Sequence, residues 1–172
     1  MYDSKFLEKN IQALKKGNEE AFNNIYEATH RLVYYTIYSI LKDSDLSEDI
    51  MQNTYLKVYE KVNSYESKSP KAWIVTIAKN LAINEYNRRK KEVLLDHEVI
   101  DALASNENTK TPLIDLASKN LPEDEFMILM LCICENYKRR EVAAIMNLST
   151  SGVTWKLNQA LDKLKKIVKV VE

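Results

Sequence analysis

Three asparagines, Asn80, Asn84 and Asn87, stand four and three residues apart in "AKNLAINEYNRRKK", and Lys91 follows four further on. At about 100° per residue this spacing sets all four on one helix face. Carboxamides hydrogen-bond to base edges and cations neutralise phosphates, so the chemistry on offer is recognition of nucleic acid. A solvated helix end, with its cations complementing the dipole, is the plainer reading of the same residues. A second polar face lies in "LSTSGVTWKLNQALDKLKK", where Trp155, Asn158, Gln159, Asp162 and Lys166 oppose an apolar stripe of Val153, Leu157, Ala160, Leu164 and Ile167. Asn and Gln pair bidentately with adenine, and Asp accepts from cytosine but repels phosphate. Lys156 and Lys163 flank this face. Trp155 points away from its own core toward some contact, which the sequence leaves open among DNA, another protein and the first domain of the chain.

Covalent chemistry finds little support. His30 and His97 are far apart, Cys132 and Cys134 are the two cysteines, and two glycines cannot build a phosphate loop. The cysteines sit two apart in an apolar helical run, where their side chains diverge and read as buried thiols in a reducing cytoplasm. No metal-ligand spacing is present, so neither metal nor cofactor is expected, and the chain does not read as an enzyme. No apolar run is long enough to cross a membrane, and the polar start "MYDSKFLEKN" is not a secretory signal. A cytoplasmic protein without membrane insertion of its own is expected.

Positioning these faces falls to helices. With few helix breakers in 172 residues the chain reads as all-α. Net charge is zero, but residues 1–91 carry 15 Lys+Arg against 12 Asp+Glu, residues 92–119 carry 2 against 6, and residues 120–172 carry 8 against 7. Two mildly basic blocks therefore flank an acidic connector, which predicts two modules and a tether. The first block reads as four helices. One covers about Ser4–Lys16 and ends at Gly17. The next is capped by Asn18 and has its apolar stripe through Ala21, Ile25, Leu32, Tyr35 and Ile40. A third starts in "DSDLSEDI", and a fourth opens at Ser69-Pro70, runs to about Lys91 and turns Ile74, Ile77, Ala78 and Leu81 inward. "NSYESKS" is a polar loop between the last two, in which Tyr65 and Lys68 have the composition that holds an unstacked base. Trp73, beside Pro70, reads as a core or hinge residue. The periodicity weakens from Leu94 to Lys119, a linker with short helical pieces. In the last block "KRREVAAIM", the turn "NLS" and the final helix make a helix-turn-helix candidate. Its small Ala143 lies at the crossing, Asn147 takes the left-handed turn, Ser149 caps the final helix and Val153 plugs the angle.

The order "SEDIMQNTYLKVYEKV … KSPKAWIVTIAKNLAINEYNRRKK … LPEDEFMILMLCICENYKRREVAAIMNLSTSGVTWKLNQALDKLKK" resembles an extracytoplasmic-function (ECF) RNA polymerase sigma factor of the sigma-70 family, over roughly residues 15–168. The resemblance implies two small helical domains joined by a linker: a region 2-like domain over residues 1–93, an acidic linker over 94–119, and a region 4-like helix-turn-helix domain over 120–172. It implies binding to core RNA polymerase, at the β′ clamp helices and the β flap, through Glu48, Asp49, Gln52, Asn53, Tyr55 and Leu56. It implies reading and melting of a −10 promoter element by Tyr65, Ser67, Lys68, Asn80, Asn84, Asn87, Arg88 and Lys91, with a flipped base captured by the loop. Reading of a −35 element as duplex falls to Arg139, Arg140, Ser149, Ser151, Thr154, Trp155, Lys156, Asn158 and Gln159. Promoter DNA and an anti-sigma factor are further implied partners, and the linker is expected to thread toward the polymerase cleft.

Several residues depart from the family pattern. Asn84 stands at the usual Asp position and Asn53 at a Glu. Thr154 replaces a Lys, Trp155 a small residue and Lys156 an Arg. Gln159, Leu161 and Asp162 occupy positions that are often basic, and Asn147 replaces the turn glycine. Fewer cations predict weaker phosphate anchoring. The competing reading is a sigma-like helix-turn-helix regulator or interaction protein that does not open promoters.

Overall fold

The computed structural model describes residues 4–66, 69–95 and 112–171, and every element in it is helical. The chain divides into two compact units, Met1–Ser105 and Asn106–Glu172.

In the first unit α1 (Ser4–Lys15), α2 (Glu20–Leu41), α3 (Ser44–Lys61) and α4 (Pro70–Leu95) form a bundle, with a 3-10 turn at Val62–Ser64. α2 is the central helix and packs against the other three. The boundaries have local causes. Gly17 adopts φ +85°, a left-handed conformation that ends α1. Asn18 Oδ1 accepts the Glu20 amide at 3.0 Å and so starts α2. Asp43 Oδ1 accepts the Leu46 amide at 3.0 Å, an N-cap worth about 1 kcal/mol to α3. Ser69 caps α4 ahead of Pro70 through the Ala72 amide. Leu7, Ile11, Ile25, Val33, Ile37, Val58 and Ile74 are completely buried between the helices. Each such side chain stabilises the bundle by about 1.5–3 kcal/mol.

The second unit contains α5 (Pro112–Asn120), α6 (Glu123–Leu129), α7 (Arg139–Met146) and α8 (Thr150–Val171). α6 widens into a π-helical segment, Met130–Cys134, before the chain turns through Asn136 at φ +53°. Phe126, Ile128, Leu131, Val142, Val153 and Ala160 are completely buried. The turn between α7 and α8 has the expected form. Asn147 is left-handed (φ 53°, ψ 47°), Ala143 is buried, and Ser149 Oγ accepts the Gly152 amide at 3.0 Å. A Cβ at Gly152 would lie 3.1 Å from that hydroxyl, so the glycine leaves room for the cap.

Three local expectations need correction. α4 continues past Lys91 to Leu95, and α5, a short helical piece of the kind expected in the linker, is not part of a tether. Ala117 and Ser118 of α5 are buried and the helix packs on α6 and α8, so residues 112–119 belong with the second unit. Pro112 at the first helical position and the apolar spacing of Leu116, Ala117 and Leu121 carried that signal, diluted by the polar stretch ahead of them. The cysteines are not both buried. Cys132 is half-buried and Cys134 is exposed, and partial burial raises both thiol pKa values. The acidic middle of the connector, residues 96–111, lies outside the described residues.

Candidate nucleic-acid interface

Along α3, Glu48, Gln52, Leu56 and Tyr59 are exposed four, four and three residues apart and so form one line, with exposed Asp49 and Asn53 beside it. Leu56 is 61% and Tyr59 50% exposed, which leaves an apolar centre inside an acidic and amide rim. Tyr59 went unread in the sequence, although its spacing from Leu56 was the available signal. Tyr55 does not join this surface. It is 4% exposed, packs between Phe22 and Tyr26, and shares a 2.8 Å hydrogen bond with Thr29. The Thr29 hydroxyl is already donated to the Ile25 carbonyl, so the Tyr55 phenol is the donor of that bond. Burial is the main reason its pKa is raised. The motif's tyrosine therefore fixes α3 on α2 and sends its neighbours outward. Beside the acidic end of the line, Tyr26, His30, Tyr34 and Tyr35 of α2 with Glu48 and Met51 of α3 border an open groove of ≈ 440 Å³.

Asn80, Asn84, Asn87 and Lys91 are exposed together on α4, flanked by Ile83 and by Tyr86, which is half exposed and was missed in the sequence. Opposite them Ile74, Ala78 and Ala82 are buried, while Ile77 and Leu81 are half-buried. Arg88 is not poised for phosphate as the RRKK run suggests. Its guanidinium donates to both oxygens of Glu85 and to Glu92. Arg89 pairs with Asp43 at 3.2 Å and approaches Glu85. Glu85 is held below the usual carboxylate range by the Arg88 hydrogen bonds, against a smaller burial effect. Carboxylates three and four residues away thus neutralise part of the cationic run, an interaction that counting cations alone conceals.

Tyr65 moves furthest from its sequence reading. It is 3% exposed, its hydroxyl donates to Glu8 at 2.8 Å, its carbonyl accepts from Lys15 at 2.6 Å, and its ring meets Trp73 edge-on. Burial and the Glu8 carboxylate both raise the phenol's pKa. In this conformation the ring closes the bundle and presents no face to a base. Trp73 is half-buried against the same core, as a core residue should be. Ser67 and Lys68 lie outside the described residues.

In the second unit Arg139 and Arg140 are exposed at the start of α7. Ser149 is committed to the cap and within 3.0 Å of exposed Ser151, while Thr154 donates to the Thr150 carbonyl. Val153, Leu157 and Ala160 are buried, whereas Leu164 and Ile167 are only half-buried. Trp155 is 58% exposed; Asn158 and Asp162 are exposed and Gln159 is half-buried beside them. The flanking cations are engaged within the unit. Lys156 pairs with Asp124, and Lys163 donates to both oxygens of Glu125 at 2.7 and 2.8 Å. Partial burial would raise the Asp124 pKa, but Lys156 and two backbone amides outweigh it and hold the group below its ordinary value. Glu125 is 5% exposed, so its charge requires the lysine.

Residues 25–92, from within α2 to the far part of α4, match the sigma-70 region 2 family model. The chain is 28% identical over 151 residues to the ECF RNA polymerase sigma factor SigM of Bacillus subtilis (strain 168), covering 83% of this chain and 92% of SigM. It is 24% identical over 180 residues to SigW of the same organism, covering 93% and 95%. Over most of its length the chain is therefore similar to ECF sigma factors of the sigma-70 family, and residues 25–92 carry the region 2 pattern. Its two-unit helical fold is shared with solved sigma factor structures. The structure of CnrH in complex with the cytosolic domain of CnrY gives a TM-score of 0.64 at 15% identity over 95% of this chain and 97% of the other. That of RpoE in complex with the anti-sigma factor NepR from Bartonella quintana gives 0.61 at 22% identity over 88% and 98%. Sigma factors are regulatory proteins of transcription rather than enzymes. Among the described residues no helix is long and apolar enough to cross a membrane, and no group of three His, Cys, Asp or Glu could hold a metal.

Proposed function

We propose that this chain acts as a sigma factor that docks on core RNA polymerase through α3, engages and melts a −10 element through α4, and reads a −35 element through α8. The observation that carries the reading is the α3 line of Glu48, Gln52, Leu56 and Tyr59. It is an exposed apolar centre with a polar rim, inside the segment that matches region 2. Such a centre is what a protein partner buries, and polar rim residues set its orientation. The β′ clamp helices are the partner that the family implies, and the β flap would hold the second unit. On α4 the amides of Asn80, Asn84 and Asn87 are free of the core and suit base edges, with Lys91 on phosphate. Arg88 would take a phosphate by leaving Glu85 and Glu92, an exchange between two ionic partners. With Tyr65 in the core, the polar side chains of α4 and the loop residues Ser67 and Lys68 carry −10 recognition.

No step of this function is covalent; binding energy opens the duplex and the polymerase supplies the chemistry. The protein would act in the cytoplasm, where promoter DNA is. RpoE and CnrH were each solved with a protein bound to them, and an anti-sigma factor that covers the α3 or α8 face would hold this chain inactive. The engaged cations of α8 favour a second reading, a helix-turn-helix interaction protein that does not open promoters. Core polymerase mixed with the purified protein separates the two. Stable association, with permanganate-reactive thymines on a promoter, supports the sigma reading. Duplex binding unaffected by polymerase, with no reactive thymines, supports the other.

A further inference from the structure

The outward face of α8 is unusual in what it lacks. Between Ser151 and Asp162 the outward side chains are Ser151, Trp155, Asn158, Gln159 and Asp162, none of them a cation. Lys156 within this stretch and Lys163 just after it turn toward α6, where Asp124 and Glu125 of its first turn hold them. That arrangement satisfies the unit internally: the acids suit the helix N-terminus, and Glu125 cannot be left buried without Lys163. It also removes from the outward face between Ser151 and Asp162 the residue types that read guanine, whose O6 and N7 are both acceptors and call for Arg or Lys; exposed Lys165 and Lys166 lie beyond that stretch.

What remains has a matching base pair. Asn158 and Gln159 carry the donor and acceptor that adenine N7 and N6 require. Trp155, one turn before them and 58% exposed, offers an apolar surface where thymine alone presents a methyl group in the major groove. The nearby indole face also has Lys156 Nζ 5.9 Å from its centroid, a contact that steadies the ring against the helix. Phosphate contacts are left to the exposed Arg139 and Arg140 at the start of α7 and to exposed Lys165 and Lys166 further along α8.

We propose that Trp155 is the specificity-determining residue of α8, packing on a thymine C5-methyl group in the major groove while Asn158 or Gln159 pairs with an adjacent adenine. The −35 element of this sigma factor is therefore an A·T step at the centre of the α8 footprint, with guanine excluded from that position. This deepens the −35 reading above and rests on it.

The test uses holoenzyme assembled from the full chain and core polymerase. A promoter library randomised across the −35 region is selected by transcription, and the winning element is then synthesised with deoxyuridine in place of each thymine in turn. Selection of an A·T step is expected, with one thymine whose replacement by deoxyuridine lowers affinity about fourfold, the worth of one buried methyl. Trp155→Ala should remove that sensitivity, and Trp155→Arg should shift selection at the same base pair toward guanine. Both substitutions sit on an exposed position, and an unchanged helical circular dichroism signal verifies folding. A selected −35 element with G·C at this position, or one indifferent to every methyl, overturns the role of Trp155 and leaves −35 reading intact. No selection at any −35 position overturns both.

Discussion

The ion pair between Lys156 and Asp124 predicts that removing an acid strengthens DNA binding. In Asp124→Asn the carboxamide oxygen can still accept the Glu125 amide, as Asp124 Oδ1 does at 2.9 Å, so the start of α6 is kept. Lys156, 25% exposed on its side chain, loses its ionic partner and is released on the flank of α8. Each phosphate neutralised on duplex DNA adds about 0.9 to the slope of log affinity against log salt. A fourfold change of salt, from about 50 to 200 mM, then alters affinity by about 3.5-fold per contact. Asp124→Asn should therefore steepen the slope by about 0.9 and tighten binding several-fold at the low-salt end. The assay is fluorescence anisotropy of a labelled promoter fragment with holoenzyme across a salt series. Lys156→Ala alone should leave the slope nearly unchanged, because the lysine is already engaged, and should cancel the gain when combined with Asp124→Asn. A slope unchanged by Asp124→Asn, or a loss of about 0.9 from Lys156→Ala alone, would refute the claim that Lys156 is withheld from DNA.

Other outcomes follow from single contacts. Tyr55→Phe should cost about 1 kcal/mol in urea unfolding, the net worth of its bond to Thr29, whereas Leu56→Asp next to it should leave stability within about 0.5 kcal/mol and abolish association with core polymerase in a pull-down. Lys163→Ala should destabilise the second unit by about 2 kcal/mol, less than a fully buried pair would lose because the lysine is 41% exposed, read as an earlier thermal transition. For pH, Glu85 and Asp124 both have folded pKa values below their ordinary ones. Their contribution is fully present above the unfolded values near about 4 and is lost as pH falls through the folded values. Unfolding free energy should therefore be flat in these groups between about pH 6 and 8 and decline below about pH 4; a decline centred near neutrality would assign the loss to other groups.

What the sequence made legible was the periodic part. The stripes through Ala21–Ile25–Leu32 and Val153–Leu157–Ala160, the caps at Asn18 and Ser149 and the left-handed Asn147 are local, and local rules locate them. The exposed amides of α4 and the exposed Trp155 follow from the same helical arithmetic. What escaped was pairing at a distance. Tyr65 has the composition of a loop that grips a base, yet Glu8, 57 residues earlier, and Lys15 draw it into the core. Tyr55 lies within an exposed motif but one helical step off its surface line, where Thr29 and Tyr26 receive it. Arg88, Lys156 and Lys163 count as cations in the sequence, but carboxylates one turn away or across the unit neutralise them. That α5 packs into the second unit was masked by averaging its short apolar pattern with the polar residues before it. In each case the missing information was which side chain stands opposite, a product of packing rather than of spacing.

The central claim is that an exposed line on α3 makes this protein a subunit of an initiating polymerase. The most direct measurement is permanganate reactivity of promoter thymines around the −10 element, with purified core polymerase and either the native chain or Leu56→Asp. Reactive thymines with the native chain, absent with Leu56→Asp and with core polymerase alone, are the result predicted. Equal reactivity with Leu56→Asp, or none with the native chain on any promoter of a random library, would contradict it.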